Sequence, residues 1–400
     1  MKSRLSLLSV THLMFKTCVI ACCAVSSVFA AQPVVIGLDA DMSSVAIEGG
    51  QAIKRGALLA VDEINANGGI LGRKVVLEIS DHRGNPARGV KNIEQFAKNP
   101  NLLAVLGGVH TPVALAELPL IHEHKLLYLG PWAAGTSIID NEYSPNFVFR
   151  ISVRDAEAAK VMLRHAASRG ITRIALALER TGWGRSNLAS LEQHSQAYGI
   201  TITTVQWVNW RQESFQQEMD AIMESEAEAL FLVVNAPEGV MIANTMLQQS
   251  TPIPMISHWG IAGGDFVAKL GLATLNQLDF AVLQTFSFER NPDGAVERRV
   301  FNAYRERFDA HAQPDSILGV VGLAHAYDLV HILAKATEQA GSLNSDEIRM
   351  ALEKMTEHKG LIKHYAPPFS PTRHDALFAD DYFMSYYNAL GHLVPFTEDN

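Results

Sequence analysis

A strand–helix–strand pattern near the start of the chain restricts the possible folds most strongly. The apolar run Val34–Leu38 precedes a helix in which apolar residues recur at helical spacing, namely Ile53, Ala57, Val61 and Ile64. Asn67-Gly68-Gly69 ends this helix, because asparagine and glycine tolerate the left-handed conformation of a helix C-terminus. Val75–Ile79 then has the composition of a strand. Two strands joined by a helix form a unit of parallel sheet, so we expect an α/β fold.

The same alternation continues along the chain in two series. The first series predicts strands at Val34–Leu38, Val75–Ser80, Leu103–Gly107, Leu126–Leu129 and Phe147–Ile151. The second predicts strands at Arg173–Leu178, Thr201–Trp207, Leu230–Val234, Met255–Ser257 and Phe280–Thr285. A chain of 400 residues is too long for one ordinary core. We therefore expect two doubly wound parallel-sheet lobes, with late strands near Tyr382–Tyr387 added at a sheet edge.

The first thirty residues have the pattern of a secretory signal peptide. A basic region precedes the apolar segment Thr17–Phe29, which is too short to span a bilayer. Val28-Phe29-Ala30 fits the small-residue cleavage rule, so we expect cleavage after Ala30. A lipoprotein signal ending at Cys22 is the alternative, which we disfavour because Lys16 leaves too short an apolar stretch before it.

Composition and motifs exclude several classes of function. All three cysteines lie in the leader, which argues against disulfides, thiolate catalysis and cysteine-ligated metal in the mature protein. The net charge of −9 comes without a basic block, which argues against nucleic acid as a partner. No G-x-S-x-G, P-loop or H-E-x-x-H motif occurs, and His122 and His124 would lie on different faces of a helix. We therefore expect no enzyme, no metal and no cofactor.

Ligands of doubly wound sheets bind beyond the C-terminal ends of the strands. Five turns of this chain follow predicted strands and are candidates for ligand contacts. These turns are Asp39–Ser44, Gly107–Thr111, Gly130–Thr136, Thr181–Asn187 and Ser257–Gly260. Three of the five tryptophans fall on them, namely Trp132, Trp183 and Trp259. We predict that these rings form the apolar walls of a cleft, ordinary packing being the alternative for each ring taken alone.

Polar residues near these turns are candidate ligand contacts. Gly107-Gly108 allows close approach of the backbone, and Thr111 offers a hydroxyl and a backbone N–H at a helix start, where the helix dipole favours an anion. The alternative is that Thr111 only caps the helix. Asn235 follows another predicted strand and is placed to face the cleft. Glu238 is interpreted first as an acid in the first turn of a helix.

Longer motifs in this chain resemble the leucine/isoleucine/valine-binding family of type I periplasmic solute-binding proteins, which serve ABC importers. The motifs are Gly56–Lys74, Asp81–Arg88, Gly107–Ala114 and Phe147–Arg150. The resemblance covers nearly all of the chain after the leader. It implies two lobes that close around a small solute by hinge bending.

The family resemblance also implies a division of the chain. Three short crossings would join the lobes near Arg150–Val153, Thr285–Phe288 and Lys363–Pro367, the first of which the sequence alone also suggests. The N-terminal lobe would comprise residues 31–150 and 286–362, and the C-terminal lobe residues 151–285 and 363–400.

Site residues carried over from the family define an expected ligand cleft. In the family, the turn that corresponds to His110 and Thr111 holds the ligand carboxylate, and the aromatic residue at Trp183 covers the ligand. The turn that contains Trp132, Ala133 and Ala134 is expected to contribute to the cleft, although Trp132 stands where the family usually has a small residue.

The fifth turn departs from the family pattern. Amino-acid binders of the family usually place an acid there to pair with the ligand ammonium, whereas this chain has Trp259. An unpaired ammonium in a closed cleft is costly. An α-amino acid would therefore need another anion, for which Asp39 and Asp41 are the candidates, solvated loop carboxylates being the alternative. Otherwise the ligand lacks an amine.

The sequence and the resemblance together predict a monomeric periplasmic binding component of an ABC importer. We expect it to close on a hydrophobic or aromatic amino acid, or on a related small carboxylate or amide, and to present this solute to a permease in the inner membrane. The alternative is a sensor of the same fold that reports ligand occupancy to a membrane kinase or regulator.

Overall fold

Helices and strands alternate through residues 32–396, which is the part of the chain that the computed structural model describes. The predicted signal peptide and its cleavage site lie outside these described residues. Among residues 32–396, no helix combines the length and the apolarity needed to cross a bilayer.

The first lobe is built on a five-stranded parallel sheet. Its strands are β1 (Val34–Ala40), β2 (Val75–Asp81), β3 (Leu102–Leu106), β4 (Tyr128–Gly130) and β5 (Val148–Arg150). The crossover helices are α1 (Ile47–Ala66), α2 (Pro86–Phe96) and α3 (Thr111–Glu123). The strand order is β2-β1-β3-β4-β5, with Val34 of β1 opposite Val75 of β2. Every residue of β1 is buried, as in a parallel sheet covered by helices on both faces.

The second lobe begins with a further run of alternating elements. In chain order these are α4 (Asp155–Ser168), β6 (Arg173–Glu179), α5 (Gly182–His194), β7 (Thr201–Val208), α6 (Gln216–Glu224), β8 (Ala229–Val233), α7 (Ala236–Leu247), β9 (Met255–Ser257), α8 (Phe266–Leu270), α9 (Leu272–Leu275) and β10 (Phe280–Gln284). The short helices α8 and α9 were not predicted from the sequence.

The remaining helices and strands complete both lobes. They are α10 (Ala295–Arg307), α11 (Val320–Ala340), α12 (Ser345–Lys354), β11 (His358–Lys359), β12 (His364–Tyr365), β13 (Phe383–Tyr387) and β14 (Leu393–Pro395). The second sheet has the order β14-β13-β10-β9-β8-β6-β7, in which β13 pairs antiparallel with β10 and β14 with β13. The prediction of late strands at a sheet edge is confirmed.

Helices α1 and α11 pack closely enough to require glycine at their contact. A β-carbon at Gly56 would lie 2.0 Å from the carbonyl oxygen of Leu323, which no side chain tolerates. The predicted end of α1 is also confirmed, because the helix stops at Ala66 and Gly68 and Gly69 follow with φ values of +102° and +83°.

The chain passes between the two sheets at three places. The first connection follows β5 and the second follows β10. At the third, the backbone of Arg150 in β5 bonds to His374 and Ala376, and β13 begins at Phe383. This connection therefore lies between residues 376 and 383, later than the crossing expected near Lys363–Pro367. The expected segment instead forms the β11–β12 hairpin, where Tyr365 donates to Asp328 of α11.

Candidate functional site

A small cavity lies between the C-terminal strand ends of the two lobes. The first lobe contributes Val109, His110, Thr111, Pro112, Trp132 and Ala134 to its walls. The second lobe contributes Glu179, Trp183, Asn235, Trp259 and Gly260. Its volume of about 20 Å³ is room for about one water molecule. The predicted site residues therefore come together here, except for Ala133, Asp39 and Asp41.

Tryptophan rings from opposite lobes meet in this cavity. The rings of Trp132 and Trp259 are 5.3 Å apart between centroids and tilted by 39°. Both side chains are buried. A β-carbon at Gly322 would lie 2.7 Å from the Trp132 ring, and one at Gly263 of the second lobe would lie 3.3 Å from it. Trp132 thus fills the space between the lobes, and the glycines around it make room for the ring.

Trp183 enters the cavity from the N-terminus of α5. The hydroxyl of Thr181 accepts the backbone N–H of Trp183 at 3.2 Å and so caps this helix. The indole Nε1 of Trp183 donates to Asp155 at 3.3 Å, and the ring meets His258 edge to face at 5.1 Å. These contacts fix the plane of the ring on the second-lobe wall.

The start of α3 forms the polar part of the first-lobe wall. His110 occupies the N-cap position and Thr111 is the first helical residue, so the alternative in which Thr111 caps the helix is not observed. The hydroxyl of Thr111 accepts the N–H of Gly135 at 3.1 Å, which leaves its proton free to be donated. No side chain caps this helix start within the described chain. Pro112 has no N–H, and the N–H groups of Val113 and Ala114 donate to the carbonyl oxygen of His110 at 3.1 Å each. The backbone N–H of Thr111 is therefore the donor that this helix start offers to an anion.

Asp41 is buried and fully engaged in local hydrogen bonds. Its carboxylate accepts the N–H groups of Ser44 at 2.8 Å and Ala46 at 3.1 Å, and it lies 2.9 Å from Nε2 of His110. Burial opposes ionisation of Asp41, but the hydrogen bonds from His110 and the backbone outweigh this effect and lower its pKa. This carboxylate orders its own loop and positions His110.

Asp39 is also buried, and it too lies outside the cavity wall. Its Oδ1 accepts from Asn92 at 2.7 Å. Burial raises the pKa of Asp39 to about 7. Glu117 lies beside it, and burial together with the charge of Asp39 raises the pKa of Glu117 as well. One proton shared between these two carboxyl groups removes the repulsion that two buried charges would suffer.

Glu179 is a cavity residue that the sequence analysis missed. It is the last residue of β6, and its carboxyl group accepts from Nε1 of Trp210 and from Nδ2 of Asn235. Burial raises the pKa of Glu179 to about 8, and the charge of nearby Glu238 adds to this effect. The sequence feature that could have identified Glu179 is an acidic residue at the end of an apolar strand, directly before the turn that carries Trp183.

The cavity combines apolar walls with a few hydrogen-bonding groups. Residues 32–396 contain no group of three or more histidine, cysteine, aspartate or glutamate side chains placed to hold a metal ion. Aromatic rings beside a helix N-terminus suit a solute with an apolar body and a polar or anionic end.

Comparison with known proteins identifies the family. The sequence pattern described as "Periplasmic binding protein" matches residues 33–384. The chain belongs to this family. Among curated relatives, Leu/Ile/Val-binding protein BraC3 of Rhizobium johnstonii is 26% identical over 326 residues, which is 78% of this chain and 81% of the relative. Leu/Ile/Val-binding protein homolog 1 of Brucella melitensis is 23% identical over 319 residues, 78% of this chain and 80% of the relative.

Solved structures share the two-lobed fold at low sequence identity. A type 1 periplasmic binding protein from Bordetella pertussis superimposes with a TM-score of 0.82 at 20% identity, covering 91% of this chain and 100% of that one. The substrate-binding protein LivJ of Streptococcus pneumoniae, solved with isoleucine, gives 0.77 at 19% identity with the same coverage. A solute-binding protein from R. palustris, solved with 4-hydroxybenzoate, gives 0.74 at 17% identity, covering 91% of this chain and 95% of that one.

Proposed function

We propose that this protein is the periplasmic solute-binding component of an ABC importer, secreted through its N-terminal leader. Its solute would be a hydrophobic or aromatic amino acid, or a related small carboxylate or amide, which it presents to an inner-membrane permease. The observation that carries the proposal is the convergence of three tryptophans from separate strand ends on one cavity between the lobes, beside the uncapped start of α3.

The carboxylate or amide end of the solute would bind at the start of α3. The hydroxyl and the backbone N–H of Thr111 are donors on the cavity wall. Hydrogen bonds to a charged group contribute about 1.5–3 kcal/mol each. Trp183 and Trp259 would contact the apolar body of the solute from the second lobe.

Within this class, the charge of the cavity favours solutes without an ammonium group. Asp41 is already engaged by His110 and two backbone N–H groups, and Asp39 is turned toward Asn92. Glu179 lines the cavity, but a carboxyl group with a pKa of about 8 is mostly protonated at pH 7. Structural relatives are known with both kinds of ligand, because one was solved with isoleucine and another with 4-hydroxybenzoate.

A thermal-shift screen with matched ligand pairs tests the proposal. The protein from residue 31 onward would be mixed with phenylalanine, 3-phenylpropanoate and 3-phenylpropanamide, and with leucine and 4-methylpentanoate. A true ligand at a hundredfold excess over its dissociation constant stabilises by about 2.7 kcal/mol. We expect the carboxylates to raise the melting temperature more than the amino acids that differ from them only by the ammonium group.

Substitution of Thr111 then tests the anchor for the carboxylate. Thr111→Val removes the hydroxyl donor and should weaken binding of the carboxylates about tenfold or more, with a smaller effect on the amide. Thr201→Val on the exposed edge of β7 is the matched control. Equal effects of the two substitutions, or no stabilisation by any carboxylate, amide or amino acid, would contradict the proposed site.

The transport role has its own test. Deletion of this chain from its native cells should abolish high-affinity uptake of the solute found in the screen, and the wild-type protein should restore it. Uptake that persists at the wild-type rate would argue against an importer.

A further inference from the structure

A second and much larger cavity lies beside the connection that follows β10. Its volume is about 600 Å³, within the range of about 300–1,000 Å³ typical of small-molecule sites. We call it the hinge-side cavity, because Gln284, Phe286 and Ser287 at the second connection line it. The turn Trp259–Gly263 separates it from the tryptophan-lined cavity. Trp259 faces the small cavity, whereas Ile261 lines the large one.

Both lobes contribute apolar walls to the hinge-side cavity. Ile317 and Leu318, just before α11, line the first-lobe side, and Phe266 and Tyr387 line the second-lobe side. Leu318 is 49% exposed, and two further leucines on the rim, Leu272 and Leu390, are 43% and 67% exposed. Exposed apolar side chains concentrated around a concavity are typical of a binding site.

A hydrogen-bonded contact joins the two lobes at the edge of this cavity. Oδ2 of Asp315, on the segment before α11, accepts from Nδ2 of Asn388 at 3.2 Å and lies 3.1 Å from Nδ1 of His392. Asn388 and His392 belong to the turn between β13 and β14. Paired polar groups from the two lobes therefore form this edge of the cavity.

The charged groups of the cavity wall are mostly acidic. Asp265 pairs with Lys269 at 3.1 Å, and Asp315 is engaged by Asn388 and His392. Glu48, in the first turn of α1, is half-buried and forms no ion pair with any described residue. His392 is the basic side chain on the described wall, and Asp315 already holds it. A carboxylate ligand would therefore meet the acidic groups without a free cation to offset them, so the wall selects against anions.

We propose that the hinge-side cavity is a second small-molecule site, which binds an apolar or aromatic solute that is neutral or carries one positive charge. The apolar walls would contact the body of the solute, and Glu48 would face a cationic end. The hinge-side cavity would thus prefer a neutral or cationic solute, whereas the tryptophan-lined cavity is proposed to prefer a carboxylate. The proposal of a second site does not depend on the function of the tryptophan-lined cavity.

Fluorescence titration provides the first test. N-phenyl-1-naphthylamine, a neutral apolar probe that brightens in apolar surroundings, should give a saturable emission increase with one site per chain. The matched competitors 1-naphthylmethylammonium and 1-naphthylacetate differ mainly in charge. The ammonium compound should displace the probe at a concentration at least tenfold lower than the acetate does. No saturable signal, or equal displacement by both compounds, would overturn the proposal.

Paired variants assign the probe to its cavity. Leu318→Asp places a charge on the apolar rim and should weaken probe binding tenfold or more, whereas Met350→Asp, on the exposed surface of α12, should not. Glu48→Gln should reduce the preference for the ammonium compound severalfold and leave the neutral probe unaffected. Glu94→Gln, on the exposed surface of α2, is the matched control.

The tryptophan-lined cavity is tested separately with Trp183→Ala. The proposal expects unchanged probe binding in this variant. Loss of probe binding in Trp183→Ala but not in Leu318→Asp would place the probe in the small cavity and refute the second site. The carboxylate screen has an independent readout, so either proposal can fail while the other stands.

Discussion

The guanidinium group of Arg150 is fully buried and forms its hydrogen bonds with other groups of the protein. Its guanidinium donates to both oxygens of Asp375 at 2.5 and 3.2 Å, and to the carbonyl oxygens of Ala133 and Gly135. Ala133, which the sequence placed in the ligand site, thus serves through its carbonyl to hold Arg150. The ion pair ties β5 to the segment that leads into the third connection between the lobes.

Removal of one partner of this ion pair should be strongly destabilising. Asp375→Ala leaves the guanidinium of Arg150 buried without a counter-charge, which typically costs about 3–5 kcal/mol. Urea unfolding should show this loss in the free energy of unfolding. The control Asp293→Ala breaks an exposed pair with Arg298 at 3.7 Å and should change stability by less than about 1 kcal/mol. Similar losses in both variants would contradict the structural role of Arg150.

The buried pair of Asp39 and Glu117 should make stability depend on pH. Both carboxyl groups have a raised pKa in the folded protein, that of Asp39 to about 7 from 3.8. Between pH 4 and 7 the folded state therefore binds more protons than the unfolded chain, and its stability falls as the pH rises. The pair should contribute on the order of 3 kcal/mol to this decline.

Substitution of Asp39 should flatten that pH profile. Asp39→Asn removes one titrating group, so the free energy of unfolding should decline less between pH 4 and 7. Guanidinium titrations at several pH values would measure it, with Asp293→Asn on the exposed surface as control. A profile unchanged from that of the wild type would show that the pair does not share a proton.

At the scale of elements, periodicity and turn chemistry predicted much of the fold. The hydrogen-bond partners of the buried polar side chains could not be predicted from the sequence. The end of α1 follows from the backbone freedom of Gly68 and Gly69, which is a local property. The parallel-sheet rule likewise predicted that tryptophans on separate turns would meet. Besides the bonds within its own loop, Asp41 contacts His110 from a distant part of the chain, and no spacing in the sequence reveals that tertiary contact.

The contact between α1 and α11 gives a prediction at this scale. Gly56→Ala places a methyl group against the carbonyl of Leu323, so the helices must separate, and overpacking of this kind usually costs about 1–3 kcal/mol. Alanine is otherwise the better helix former, so a loss of stability must come from the contact itself. Lys54→Ala on the same helix is the control. Calorimetry that shows Gly56→Ala to be stabilising would disprove the close packing.

At the scale of the whole molecule, the two lobes are in contact around the tryptophan-lined cavity. The backbone N–H of Thr136 in the first lobe donates to Oγ of Ser186 in α5 at 3.1 Å. The ring of His110 lies 5.4 Å from that of Trp210 in the second lobe. The cavity of about 20 Å³ is far below the size of an ordinary ligand pocket. A solute can therefore enter only if the lobes separate or a tryptophan moves.

A disulfide across the lobes should show which motion admits the solute. Thr136→Cys with Ser186→Cys introduces two thiols at a lobe contact, and the chain from residue 31 onward contains no other cysteine. If lobe separation admits the solute, oxidation should slow amide hydrogen exchange at Val109–Thr111 at least tenfold and block carboxylate binding, and reduction should restore both. Each single-cysteine variant under the same oxidation is the control. Binding that persists in the oxidised double variant would show that tryptophan rearrangement alone opens the cavity.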